Sequence, residues 1–257
     1  MLSAARHIDE IARRVRRAGG ALLFLDFDGT LAEIATTPES ARMSARTRRA
    51  LKACVARYRV AVISGRALAD VRRKVGMRTV AYVGGHGTEY SIGRLRGVSG
   101  LPAALRASLR DAARRFLPLC KEYPGLRIER KPSSVSVHYR RLEPRALRSF
   151  ARIARRLCTD IAAEGSLRIM FGKRVLEFMP AIGFGKGHAV GLLRRELDPR
   201  RTLPVIYIGD DTTDEEAFRA LPREITVRVG VRRSSAARYV LRRRADVDLL
   251  LERLATL

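Results

Sequence analysis

The chain contains no tryptophan, and only 6% of its 257 residues are aromatic. Cysteine is almost as scarce, with Cys54, Cys120 and Cys158 far apart and no C-x-x-C spacing among them. An odd, scattered set of this kind excludes a disulfide framework and a thiolate zinc site, and leaves reduced buried thiols in a cytoplasmic protein as the expectation. No apolar run approaches the roughly 18 residues of a membrane span, and the start lacks the apolar segment of a secretory leader. The Arg-rich beginning is compatible with a transit peptide. Against that, Ile8, Ile11, Ala12 and Val15 fall on one helical face, and Asp9 and Glu10 sit early, where acids suit a helix. A first helix lying on the fold is the better reading.

Lysine is also scarce. Of 52 basic residues only six are lysine, so 46 are arginine, and the net charge is +26. The arginines are spread along the whole chain, as in Arg13-Arg14, Arg48-Arg49, Arg114-Arg115, Arg155-Arg156 and Arg242 to Arg244. There is no basic tail and no aromatic-interleaved signature, so a specific nucleic-acid partner is not expected. The positive field favours anionic substrates. An apolar content of 46% describes a globular chain that can form one large or two smaller domains.

Strand-like and helical patterns alternate at first. Ala21 to Leu25 is an unbroken apolar run, the mark of a strand buried on both faces. Helical spacing over residues 44–56, a strand at 59–63, a helix at 67–75 and a strand at 80–83 continue a β-α-β-α-β rhythm. That rhythm implies right-handed crossovers and a parallel sheet. After about residue 95 it changes. A long helix over 101–119, period-two strands at 127–131 and 134–140, a helix from Pro144 to about Ala163, and strands at 167–171 and 175–179 form an αββαββ unit. The first rhythm resumes with a helix at 186–196, a strand at 203–208, a strand at 225–229 and a helix at 247–254. The fold class is therefore α/β. A Rossmann-like, doubly wound core comprises residues 1–98 and 180–257, and an α+β cap is inserted as residues 99–179.

Several strand ends carry groups suited to phosphate chemistry. Asp26-Phe27-Asp28-Gly29 closes the first strand, Ser64-Gly65-Arg66 the second, and Gly209-Asp210-Asp211 a later one. In one parallel sheet these ends share an edge, where ligands bind. Asp-x-Asp-Gly alone is as compatible with an ordinary turn. Together, Asp26 and Asp210 can each give a carboxylate to Mg2+, and a backbone carbonyl near Asp28 can give a third oxygen. Asp26 can then attack phosphorus, and Asp28 can serve as general acid and then base. Ser64 and Lys186 suit the phosphoryl oxygens. Asp211 and Asp214 fit groups that orient Lys186 or bound water, and Asp214 fits a helix cap equally well.

These four segments, in order and spacing, resemble the motifs of the haloacid dehalogenase-like phosphatases. A further set resembles the trehalose-6-phosphate phosphatases over nearly the full chain: Gly85-His86-Gly87-x-Glu89, Glu129-x-Lys131, Ser134-Val135-x-Val137-His138-Tyr139-Arg140, Leu176-Glu177 and Gly209-Asp210-Asp211-x-Thr213-Asp214-Glu215. The resemblance implies a Mg2+-dependent hydrolase of trehalose 6-phosphate, with a cap that contacts the sugar. It would place Arg66, His86, Glu129, Lys131, Lys173 and Glu177 around the disaccharide. Gly85 departs from the asparagine often found there. The residues themselves leave Glu129 and Lys131 open to a solvated cross-strand ion pair. Another sugar phosphate, such as sucrose phosphate or mannosyl-3-phosphoglycerate, is the alternative substrate. A monomer or weak homodimer without a membrane partner is expected.

Overall fold

The structure is a computed structural model, and it describes every residue except 99, 100, 132, 173 and 182–184. The chain divides into two compact units, Met1–Ser99 with Gly185–Leu257, and Gly100–Phe184. The first unit begins with β1 (Leu2–Ser3), α1 (Ile8–Arg17), β2 (Leu22–Leu25), α2 (Ala45–Val55), β3 (Arg59–Ile63), α3 (Leu68–Val75), β4 (Ala81–Gly84), β5 (Glu89–Ile92) and β6 (Leu95–Val98). The second contains α4 (Ala103–Phe116), α5 (Leu119–Glu122), β7 (Arg127–Arg130), β8 (Val135–His138), α6 (Pro144–Ala163), β9 (Leu167–Gly172) and β10 (Val175–Pro180). The first unit resumes with α7 (Lys186–Leu197), β11 (Val205–Gly209), α8 (Asp214–Ala220), β12 (Ile225–Val229), β13 (Tyr239–Leu241) and α9 (Ala245–Ala255). No helix of the described residues is long and apolar enough to cross a membrane.

In the first unit nine strands lie in the order β1-β13-β12-β11-β2-β3-β4-β5-β6. All pairs from β1 to β4 are parallel, and β5 and β6 close that edge as an antiparallel hairpin. The central strands separate two apolar layers. Leu23 and Leu25 join a cluster with Leu51 of α2 and Leu251 of α9. Leu22 and Phe24 face the other way, toward Val190 and Leu193 of α7 and Phe218 of α8. This two-sided burial is why β2 reads as a continuous apolar run instead of an alternating one. Local signals set the helix ends. Ser44 caps α2 by accepting from the Thr47 amide at 3.0 Å. Gly76, at φ +66°, ends α3 in the left-handed region.

The second unit has a four-stranded antiparallel sheet in the order β7-β8-β10-β9. Val135, Val137, Leu176 and Phe178 bury one face of it with Phe116 of α4 and Phe150 and Cys158 of α6. The helix expected over 101–119 is shorter. It ends at Phe116, and a separate turn begins at Leu119. Leu117 and Pro118 keep helical angles, but Pro118 has no amide hydrogen to donate to the preceding turn, and that missing bond accounts for the break. The strand pairs β5–β6 and β1–β13 were not anticipated. They are short, and the residues around Gly93 read as loop.

Phe24 is fully buried, whereas Ile34 is 68% exposed. Phe24→Ala is expected to lower unfolding stability by about 3–5 kcal/mol through lost burial and a cavity. Ile34→Ala is expected to change it by less than about 0.5 kcal/mol. Urea titrations of the two variants check the difference.

Candidate active site

The strand order reverses between β2 and β11. From β2 the chain winds outward through β3 and β4, and from β11 it winds the other way through β12 and β13. At such a switch point the connecting loops part and leave a crevice at the carboxyl ends of the strands. Asp26 follows β2 directly and Asp210 follows β11. The Asp26 amide donates to the Ile208 carbonyl at 2.9 Å, so the two strand ends are tied at the point where the acids emerge. Gly29 lies at φ +79°, and a Cβ on it would fall 2.1 Å from Oδ2 of Asp210. Only glycine lets the first loop and the second acid come this close. The Thr30 hydroxyl reaches Oδ1 of Asp210 at 3.5 Å.

Lys186 opens α7 and is 2% exposed. Its Nζ donates to Oδ1 of Asp26 and to Oδ1 of Asp214, each at 2.7 Å. Tyr207 of β11 donates to the same Asp214 oxygen at 2.6 Å, and the Asp211 amide donates to Oδ2 at 2.8 Å. Asp214 thus orients the lysine and the loop before α8. Its side chain does this as a buried acceptor, and the residue at the N-cap position is Thr213. The Asp211 side chain accepts from the Thr212 amide.

One ammonium faces three carboxylates. Burial pushes the Asp26 carboxyl well up; Lys186 opposes this, and Asp214 and Asp210 add to it by repulsion. Burial also pushes Asp210 up, to about 6, with Asp214 adding to the rise. For Lys186 burial works against the charge, but Asp214 and Asp26 outweigh it and hold the ammonium above the ordinary lysine range. The site therefore carries surplus negative charge in a desolvated setting. One oxygen each from Asp26, Asp210 and Asp214 lie within 4.8 Å of one another. An all-oxygen donor set with excess negative charge fits a hard divalent cation such as Mg2+.

Asp28 faces a different partner. Arg66 grips its carboxylate with one edge of the guanidinium, Nε to Oδ2 and Nη2 to Oδ1, each at 2.7 Å. The remaining nitrogen of Arg66, Nη1, donates to Oδ2 of Asp70 at 2.9 Å and to the Pro38 carbonyl at 2.7 Å. Ser64 follows β3 and is 1% exposed. Its Oγ accepts from the Arg66 amide at 3.2 Å, and its carbonyl accepts from the His86 amide at 3.2 Å. His86 has φ +54°, and its ring lies over Gly65, where a Cβ would come within 2.4 Å of it. The first unit thus brings together Asp26, Asp210, Asp214 and Lys186. Asp28, Arg66, Ser64 and His86 form an adjoining group linked by hydrogen bonds.

In the second unit Glu129, Ser136 and Glu177 stand side by side across β7, β8 and β10. Aligned residues project to one face of a sheet, and here it is the face away from the unit's apolar core. Oε1 of Glu177 accepts from Lys131 Nζ at 3.2 Å, Ser134 Oγ at 3.0 Å and Ser136 Oγ at 3.4 Å. Glu129 pairs with His138 at 2.9 Å. Cross-strand ion pairs are therefore present, but Lys131 pairs with Glu177 and not with Glu129. Lys173 lies outside the described residues.

Three supporting groups escaped the sequence reading. Tyr207 was visible only as one hydroxyl in an apolar strand. Arg228 of β12 donates to the Asp210 carbonyl at 2.7 Å and to Glu215 at 2.9 Å, which fixes the loop that carries Asp210. Arg244 donates to the carbonyls of Thr30 at 3.1 Å and Leu31 at 2.6 Å, and so fixes the other loop. Nothing distinguishes these two arginines from the other 44 by position alone.

The raised Asp210 carboxyl has a definite sign in stability. A proton held more tightly in the folded state stabilises it below the ordinary carboxylate range, and that contribution is lost as pH rises to about 6. Metal-free protein should lose this increment of melting temperature between about pH 4 and pH 6. Added Mg2+ should raise the melting temperature more at pH 7 than at pH 5, because protons compete for the same oxygens. Thermal melts with and without Mg2+ at the two pH values check both statements.

Comparison with known proteins agrees with this geometry. A trehalose-phosphatase family profile matches residues 24–243. An uncharacterized glycosyl hydrolase of Mycobacterium tuberculosis is 37% identical over 205 residues, covering 77% of this chain and 15% of that protein. A trehalose-phosphate phosphatase of Mycobacterium ulcerans is 33% identical over 243 residues, covering 91% of this chain and 61% of that protein. The chain therefore spans less than two thirds of the length of these relatives. The solved trehalose-6-phosphate phosphatase of Aspergillus fumigatus superposes with a TM-score of 0.70 at 26% identity, covering 100% of both chains. With the profile spanning most of its length and this site at its switch point, the chain belongs to the trehalose-phosphatase family.

Proposed function

We propose that this chain removes the phosphoryl group of trehalose 6-phosphate, with Mg2+ as the cation, through an aspartyl-phosphate on Asp26. The observation that carries the reading is the buried Asp26 carboxylate at the end of β2, oriented by Lys186 and facing Asp210. Asp26 and Asp210 would hold the cation, with a backbone carbonyl near Asp28 as a further oxygen. When bound, the cation neutralises the surplus carboxylate charge and the charge of the incoming phosphate.

The residues divide the chemistry as follows. An oxygen of Asp26 attacks phosphorus, and the bond from phosphorus to the sugar oxygen breaks. A protonated Asp28 gives its proton to that leaving oxygen. Asp28, now a carboxylate, then takes a proton from water as the water attacks phosphorus, and the bond to Asp26 breaks to release phosphate. Lys186 and Ser64 donate to the phosphoryl oxygens, and Asp211 and Asp214 keep the lysine loop in place. Arg66 holds both Asp28 oxygens, so one of them must be released before the acid step. Arg66, His86, Glu129, Lys131 and Glu177 are the residues proposed to recognise the disaccharide. Its many hydroxyls suit a mixture of carboxylate acceptors and cationic donors.

The test is phosphate release in the presence of Mg2+ from trehalose 6-phosphate, sucrose phosphate and mannosyl-3-phosphoglycerate. Trehalose 6-phosphate should have the highest kcat/KM, and preference for either of the others would reassign the substrate. Asp26→Asn should reduce turnover by at least about 1000-fold while the chain remains folded, as expected for loss of a nucleophile. A few per cent of residual activity would remove Asp26 from that role. Glu177→Ala should lower kcat/KM for the disaccharide about 10- to 100-fold and leave an aryl phosphate nearly unchanged. Equal losses on both would assign Glu177 to folding or to the reaction centre.

A further inference from the structure

Away from the carboxylates, the first unit contains a second concavity. A cleft of about 460 Å³ lies against α3, β4 and the β5–β6 hairpin. Four arginines line it, Arg72, Arg73, Arg78 and Arg96, and no aspartate or glutamate does. Tyr82 and Ser91 are also in its lining. Ser91 and Arg96 are register partners in the hairpin, so their side chains share a face. Among the described residues Arg72, Arg78 and Arg96 have no hydrogen-bonded acceptor, and the Ser91 hydroxyl has none either. Some arginines elsewhere on the first unit find carboxylates, as Arg14 does with Glu224 and Arg46 with Glu252. Others, such as Arg16 and Arg17, simply stand exposed on a helix; here four share one concave wall.

Arg73 is the exception within the cleft, and its bond leads to the active site. Its Nη2 donates to Oδ1 of Asp70 at 2.5 Å. The other oxygen of Asp70 accepts from Arg66 Nη1 at 2.9 Å. The opposite edge of Arg66 holds Asp28. An unbroken run of ion pairs therefore connects the cleft to Asp28.

We propose that this cleft binds a small molecule carrying two phosphoryl groups, and that its occupancy is transmitted to Asp28 through Arg73, Asp70 and Arg66. Guanidiniums of one sign in a concave wall concentrate positive potential, and each is a planar fork that matches two phosphate oxygens. The volume lies in the range of small-molecule sites, roughly 300–1000 Å³, and is more than a single phosphate needs. Two phosphoryl groups carry about three negative charges near neutral pH, matching the three guanidiniums without acid partners. A cleft of this size suits a compact anion better than the extended track of a nucleic acid backbone. An anion that draws Arg73 away leaves both Asp70 oxygens to Arg66. The Arg66 guanidinium is then pulled toward α3, and its grip on Asp28 loosens. The binding part of the proposal is independent of the phosphatase reading; only the transmission rests on it.

The probe is inorganic pyrophosphate, titrated calorimetrically into the full metal-free chain. Arg72→Glu with Arg96→Glu should weaken binding at least tenfold. A control pair on the exposed side of α1, Arg16→Glu with Arg17→Glu, should change it less than twofold. Equal losses in both pairs would mean a diffuse positive field, and no loss in the cleft pair would place pyrophosphate elsewhere; either result overturns the site. Binding of a short single-stranded oligonucleotide through the same arginines, without pyrophosphate binding, would overturn the ligand class. Transmission is read at fixed free Mg2+ with trehalose 6-phosphate. Because loosening the Arg66 grip frees an Asp28 oxygen for the acid step, pyrophosphate should raise kcat at saturating substrate at least threefold. Asp70→Asn should bind pyrophosphate within twofold of the unaltered protein but lose that rise in kcat. A fall in kcat, an effect on KM alone, or a rise in kcat that survives Asp70→Asn would overturn the transmission. Absence of any turnover would refute the phosphatase reading and leave the calorimetric outcome standing.

Discussion

The first unit is organised around a single buried cation. Lys186 bonds Asp26 from β2 and Asp214 from the start of α8, and all three are at most 4% exposed. Charges taken out of water are tolerated only when they are paired and hydrogen-bonded, and removing one member leaves a penalty of about 3–5 kcal/mol. The lysine thus pins together one strand end and two helix starts that are far apart in sequence. The same contacts leave the carboxylates in excess, which is what a divalent ion requires. Structural cohesion and chemical capacity here have one source.

The arginine-rich composition takes on a specific meaning around this centre. Arg228 and Arg244 each hold main-chain carbonyls in one of the two acidic loops, and each is itself secured by a carboxylate, Glu215 or Asp248. A guanidinium can serve a carboxylate and carbonyls at the same time because its donors fan out in one plane. A lysine in either place would present a point charge without that geometry. In the second unit a polar cluster lies on the sheet face away from the apolar core, where Glu177 gathers Lys131, Ser134 and Ser136.

Much of this was legible in the residues because two-sided burial leaves an unmistakable trace. The apolar runs ending in Asp26, Ser64 and Gly209-Asp210 announced parallel strands and marked their carboxyl ends, and the strand order brings those ends together. The antiparallel strands of the second sheet, apolar on one face and polar on the other, followed from period-two spacing. What was not legible depended on context. Pro118 divided a helix that periodicity alone would continue. Short strands at the sheet margins have too few residues to show a pattern. Tyr207, Arg228 and Arg244 act through contacts made only after the chain has folded. The partner of Arg66 belongs to the same class: the family resemblance implied a sugar contact, and the fold sets its guanidinium against Asp28.

Tyr207 sits on the boundary between two roles. Its ring contacts Phe218 edge-on at 5.6 Å inside an apolar layer, while its hydroxyl ends on Asp214. Anyone reshaping that layer for heat tolerance would thereby also be adjusting the lysine two bonds further on. Greasy interior and reactive crevice share one tether in this molecule, so neither can drift without taking the other along.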